Sequence, residues 1–147
     1  MSRRFLSGLA LLLLLACGPE YERRSQAVTG DDLRVLKRAD EILSEESVWD
    51  RNDDRVCDEA DISWSLFCSL HKASVEVLGE YQHRRVALQE VRFAIQYVSE
   101  GEPFEHRLMD FNNSRTFPEV KKVLALATER VEARLAAQAS EGEVRDQ

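Results

Sequence analysis

The stretch Ser63-Trp64-Ser65-Leu66-Phe67-Cys68-Ser69-Leu70-His71-Lys72-Ala73-Ser74-Val75-Glu76-Val77-Leu78-Gly79 decides the fold class. Trp64, Phe67, Cys68, His71, Val75 and Leu78 recur at steps of three and four, the period that stacks side chains on one face of an α-helix. Ser63 supplies an oxygen to cap the first free amides, and Gly79 supplies the stop. The apolar face is wide and carries two aromatic residues, which makes this segment the expected central element.

The flanking segments repeat the pattern. Thr29 caps a helix whose first turn carries Asp31 and Asp32, where negative charge suits the positive end of the helix dipole. Leu33, Leu36, Ala39, Ile42 and Leu43 follow at helical spacing. A third helix is expected from about Arg84 to Ser99, with Ala87, Leu88, Val91, Ile95 and Val98 as its stripe and Gly101 beyond its end. Thr116-Phe117-Pro118-Glu119 reads as a capping box that opens a last helix carrying Val120, Val123, Leu124, Ala127, Val131 and Leu135. Residues 103–114 read as irregular, with one helical turn around Glu105–Asp110. No strand-like alternation or internal repeat is found. The expectation is an all-α chain, a small four-helix bundle over residues 29–139 with a flexible tail at 140–147.

Two clusters invite chemistry. The loop from Asp50 to Asp61 places oxygen side chains at Asp50, Asn52, Asp54, Asp58 and Asp61, the ligand places of an EF-hand calcium loop. Arg55 stands where that loop needs glycine for its sharp turn, and Asp61 is shorter than the usual bidentate Glu. A solvated acidic loop, with its arginines paired to nearby carboxylates, is therefore preferred to calcium, and no metal or other cofactor is expected. The second cluster is His83-Arg84-Arg85 with Glu90 and Arg92, facing Glu105-His106-Arg107 with Asp110, Asn112 and Asn113. Imidazole titrates near neutrality and a carboxylate can fix its tautomer, so general acid–base work is one reading. A polar network or a binding groove built from the same residues is the other. Trp49 bracketing the acidic loop is read first as packing and second as an interaction anchor. Candidate binding residues are Trp49, Arg55, His83, Arg84, Arg85, His106, Arg107 and Asp110. No H-E-x-x-H, G-x-S-x-G, phosphate loop or dinucleotide fingerprint appears, so no catalytic residue is assigned and no enzyme is expected.

The amino terminus resembles a bacterial lipoprotein signal. Arg3 and Arg4 precede an apolar run from Phe5 to Ala16, too short for a bilayer, which needs about 20 residues, and suited to a secretory signal. It closes on Leu14-Leu15-Ala16-Cys17, similar to a lipobox, with Gly18 after it. The resemblance implies cleavage of signal peptide 1–16, acylation of Cys17 with chains such as palmitate, and a tether over 17–28. Two or more acyl chains hold stably where one is reversible. In that family Asp after the lipidated cysteine retains the protein at the inner membrane. Gly18 occupies that place here, which implies the outer membrane facing the periplasm.

Export implies an oxidising compartment, where the two remaining thiols, Cys57 and Cys68, are expected to form one structural disulfide. Loss of residues 1–16 takes the formal charge from −7 to −9, which disfavours nucleic acid and anionic surfaces. The expected function is a lipid-anchored, non-enzymatic envelope protein that binds another periplasmic or outer-membrane component, protein or cell wall, as adaptor, inhibitor or immunity-like factor. The alternatives are a small periplasmic hydrolase using a His–carboxylate pair and a calcium-stabilised module.

Overall fold

The computed structural model describes residues 27–145, which form five α-helices and no strand-built sheet: α1 (Gly30–Ile42), α2 (Leu66–Leu78), α3 (Val86–Val98), α4 (Arg107–Ser114) and α5 (Phe117–Arg145), with a 3-10 turn at Glu46–Val48. The all-α expectation holds. The expected signal peptide, Cys17 and the expected tether up to residue 26 lie outside the described residues, whereas Val28, placed by the sequence at the end of that tether, is 3% exposed and belongs to the core.

Helix α1 starts where Thr29 and Asp32 place it. The Asp32 carboxylate accepts from the Thr29 amide (2.9 Å) and hydroxyl (2.7 Å), so the box closes on the carboxylate. Its other oxygen accepts from Arg85 Nε (3.0 Å) and the Ala87 amide (3.3 Å) at the start of α3. One buried carboxylate, 2% exposed, thus serves two helix N-termini, the positive ends of both dipoles. Residues 28–40 run against α5 in the reverse direction: the Val28 amide donates to Gln138 Oε1 and its carbonyl accepts from Gln138 Nε2, Lys37 pairs with Glu132 and Lys121 with Asp40.

Helix α2 departs from its sequence reading. Its cap is Ser65, whose Oγ accepts from the Cys68 amide (3.1 Å), two residues after the expected Ser63. The core face is Leu66, Ser69, Leu70 and Ala73, all fully buried, whereas Val75 is 43% exposed. Helix α2 is rotated from the expected stripe. The reason is chemical: small Ser69, Ala73 and Ser74 permit close helix approach, and the Ser69 and Ser74 hydroxyls donate to the carbonyls of Leu66 and Leu70, so their burial leaves no polar group unpaired. Gly79 ends the helix at φ +80°, a left-handed conformation natural to glycine.

The core gathers Val35, Leu36 and Ala39 of α1, Leu66 and Leu70 of α2, Ala87, Leu88, Val91 and Ile95 of α3, and Val120, Val123, Leu124, Ala127 and Val131 of α5. Helix α1 packs on α2 and α5, and α3 packs on α5, while α2 and α3 scarcely touch. Helix α4 contacts both of those and anchors Phe111 and Leu108 in the core. The irregular 103–114 segment expected from sequence therefore contains two helical turns. Buried Leu108, Phe111 and Asn112 provide the inward face that local propensity did not signal. Helix α5 continues to Arg145, past residue 139 where the sequence placed its end. No helix among the described residues is long and apolar enough to cross a membrane.

Candidate functional site

Where α2 and α3 diverge, a groove of about 570 Å3 opens. Five stretches of chain line it. Arg55 comes from the loop before α2, Phe67 from α2, Tyr81 and His83 from the link to α3, Arg92 from α3, and residues 104–109 from the entry to α4. The sequence expectation that the two His-Arg pairs converge is met for His83, His106 and Arg107, with Arg55 joining them.

The Cys57–Cys68 pair lies at disulfide distance, S–S 2.07 Å and Cα–Cα 5.3 Å. Cys57 is two residues after Arg55, and Cys68 directly follows Phe67. The bridge thus ties the loop bearing one groove residue to the helix bearing another. In the chain-entropy picture a loop this short contributes roughly 2–3 kcal/mol.

Asn112 and Asn113 supply the second fastening. Asn112 Oδ1 accepts from the Trp49 indole (2.7 Å) and the Leu66 amide (3.0 Å), and its Nδ2 donates to the Asp50 carbonyl (2.9 Å). Asn113 accepts from the Asp53 amide (2.8 Å) and donates to the Asp53 carbonyl (3.0 Å). The sequence placed these asparagines in an irregular stretch. They sit instead in the last turn of α4 and bind the loop across the fold.

Within the groove the cations bind neutral groups. Arg92 donates to the His83 carbonyl (2.9 Å) and to its Nδ1 (3.2 Å), which the Tyr81 hydroxyl also meets at 3.2 Å. Arg55 donates to His106 Nδ1 (3.2 Å), and Arg107 reaches the Arg92 carbonyl (3.5 Å). A guanidinium can only donate, so Nδ1 accepts in His106, whereas in His83 Arg92 also approaches Nε2 (3.4 Å) and either ring nitrogen can accept. Burial pushes the His83 imidazole below its ordinary value, and the charges of Arg92, Arg84 and Arg55 push it the same way. Burial also lowers Arg92 and raises Tyr81, which keeps the Tyr81 phenol protonated as a donor. Arg38 pairs with Glu76, Arg85 with Asp32, Arg115 with Glu102 and Arg134 with Glu90, while outside the groove Arg51 donates to the Asn113 carbonyl and Arg130 lies over the Tyr97 ring. Among the described residues Arg55, Arg92 and Arg107 meet no carboxylate.

Beside these charges the lining is aromatic. Tyr81 packs edge-on to Phe67 (5.9 Å) and against His71 (4.8 Å), and Phe104 is set edge-on to buried Phe111 (6.2 Å). His71 is thus half-buried in this cluster, away from any carboxylate contact. Sequence reasoning missed Phe67, Tyr81 and Phe104 as site residues. A signal existed: Tyr81-Gln82-His83-Arg84 and Phe104-Glu105-His106-Arg107 share one aromatic-x-His-Arg pattern.

The other expected site residues lie elsewhere. Trp49 packs on Phe117 (5.8 Å) and bonds Asn112, the packing role. Arg85 is committed to Asp32, and exposed Arg84 lies outside the groove lining. Asp110 accepts from the His106 amide (2.8 Å), at the start of its own helix. The acidic loop spends its carboxylates on its own backbone, Asp50 on Asn52, Asp54 on Val56, Asp58 on Ala60 and Asp61 on Asp58. No group of three or more potential metal ligands converges among the described residues. Arg55 makes the sharp turn that the calcium loop assigns to glycine, at φ +65°. The chain matches no protein family, no curated protein and no solved structure.

Proposed function

We propose that this chain is a lipid-anchored, non-enzymatic binding protein of the bacterial envelope, which captures a component of that envelope by an anionic group seated in the groove between α2 and α3. The lipobox-like Leu14-Leu15-Ala16-Cys17 supports the anchoring half of this reading, with Cys17 acylated and the domain facing the periplasm. One observation carries the binding half: Arg55, Arg92 and Arg107 line one groove, and none meets a carboxylate among the described residues. Clustered cations repel one another, and an acidic protein with 27 Asp and Glu against 20 Lys and Arg has counter-charges to spare. Leaving three guanidiniums unneutralised makes physical sense where an external anion completes them.

The imidazoles support binding over hydrolysis. A general base needs an orienting partner within hydrogen-bond reach, and the ring contacts of His83 and His106 are arginine and tyrosine. The experiment is in-cell crosslinking of the full-length protein, beside Cys17→Ala and a variant with Arg55, Arg92 and Arg107 all changed to Gln. One stoichiometric partner or ligand, reduced by either change, supports the proposal. Capture that survives loss of the three arginines removes the groove from it, and no capture from correctly lipidated protein removes the binding role.

A further inference from the structure

We infer that the groove takes an organic phosphate monoester, with the phosphate among Arg55, Arg92 and Arg107 and a ring or apolar body against Phe67, Tyr81 and Phe104. This rests on the groove being the ligand site, and it adds the chemical class. A planar carboxylate is satisfied by one bidentate guanidinium. Here three guanidiniums arrive from three separate segments: the disulfide loop, α3 and the first turn of α4. Donors approaching from several directions suit a tetrahedral group with three peripheral oxygens and a charge of about −2.

Two further sets of donors point the same way. With its Nδ1 facing Arg55, the His106 ring has Nε2 left as a donor. The first turn of α4 brings Arg107, Leu108 and Met109 to the groove, at the end of an eight-residue helix where the Asp110 carboxylate takes the His106 amide and the following backbone amides have no intrahelical acceptor. Glu105 is the one carboxylate in the lining, so the net charge of the site stays positive.

The volume decides the rest. A bare phosphate ion fills only a small part of about 570 Å3. The remaining wall is Phe67, Tyr81, Phe104, Leu108 and Met109, which gives a ring or apolar body surface to cover.

The test is calorimetric titration of detergent-solubilised full-length protein with phenyl phosphate, phenylacetate, inorganic phosphate and phenol. Phenyl phosphate should bind about tenfold tighter than phenylacetate, which shares the ring but not the tetrahedral dianion, and tighter than inorganic phosphate by a similar factor. Arg55→Gln, at an exposed side chain whose loss leaves the core intact, and Arg107→Gln should each weaken phenyl phosphate about tenfold with melting temperature unchanged. Equal or tighter phenylacetate binding overturns the phosphate class while anion capture stands. Equal affinity for inorganic phosphate overturns the ring-binding wall. If no anion binds at millimolar concentration, both this inference and the groove's role in the proposed function fall.

Discussion

Changing Asn112 to Ala should unfasten the loop that carries Arg55. Asn112 is fully buried and joins three parts of the chain with one amide. Its loss strands the Leu66 amide, which lies at the buried start of α2 with no intrahelical acceptor. A buried donor left unpaired costs about 1–3 kcal/mol. The Trp49 indole and the Asp50 carbonyl are half-buried, so water recovers part of their bonds, and each forfeits about 1 kcal/mol. Together the loss comes to about 4 kcal/mol, a large fraction of the ~5–15 kcal/mol that holds a domain of this size. In urea, with a slope of about 2 kcal/mol per molar, the midpoint should fall by about 2 M. Hydrogen exchange should show the change concentrated in residues 49–66 and the first turn of α2, because the disulfide still restrains 57 and 68. A loss under about 1 kcal/mol, or exchange rising uniformly over all five helices, would refute the argument that this amide is the clasp.

Three further outcomes follow from the same geometry. Asp32→Ala should destabilise by about 2–4 kcal/mol, since one residue caps α1 and holds Arg85 and the Ala87 amide of α3; equilibrium unfolding that finds under 1 kcal/mol contradicts the shared cap. Burial raises the Asp53 carboxyl above its ordinary 3.8, although the Arg55 amide and nearby Ser65 hydroxyl favour its charged form, and Oδ2 has no hydrogen bond of good geometry. A raised folded-state pKa gives stability that is fully present below the unfolded value and is lost as pH rises through the folded one. Asp53→Asn should therefore match wild type in strong acid and exceed it at neutrality, and urea midpoints that keep the same gap at both ends contradict this. Arg55→Gly relieves a left-handed backbone at φ +65°, so stability should hold or rise by about 1 kcal/mol while phenyl phosphate affinity falls; a clear drop in melting temperature would show the arginine side chain to be structural.

The sequence by itself determined four of the five helices and part of how they end. Thr29 with Asp32, Thr116 with Glu119, and Gly79 act within a few residues of themselves, and apolar periodicity in α1, α3 and α5 reports burial directly. The pairing of Cys57 with Cys68 was also legible, because the expected export, with Cys17 set aside for lipid, leaves two thiols to pair. The face of α2 was not. Ser69 and Ser74 count as polar in any periodic reading, and only a neighbouring helix makes their burial favourable, with their hydroxyls turned onto their own backbone. Helix α4 was hidden for the same reason: its two asparagines look like turn residues until the loop at 49–53 supplies their partners. The groove lies furthest from sequence. His83, His106 and Arg107 were named from residue type, but their meeting with Arg55, Arg92 and three aromatic rings depends on α2 and α3 diverging while α4 bridges them. Local rules set α1, α3 and the start of α5, since capping and propensity act over a single turn. Packing between distant segments set which charges were left without a partner, and that is a property no window of sequence contains.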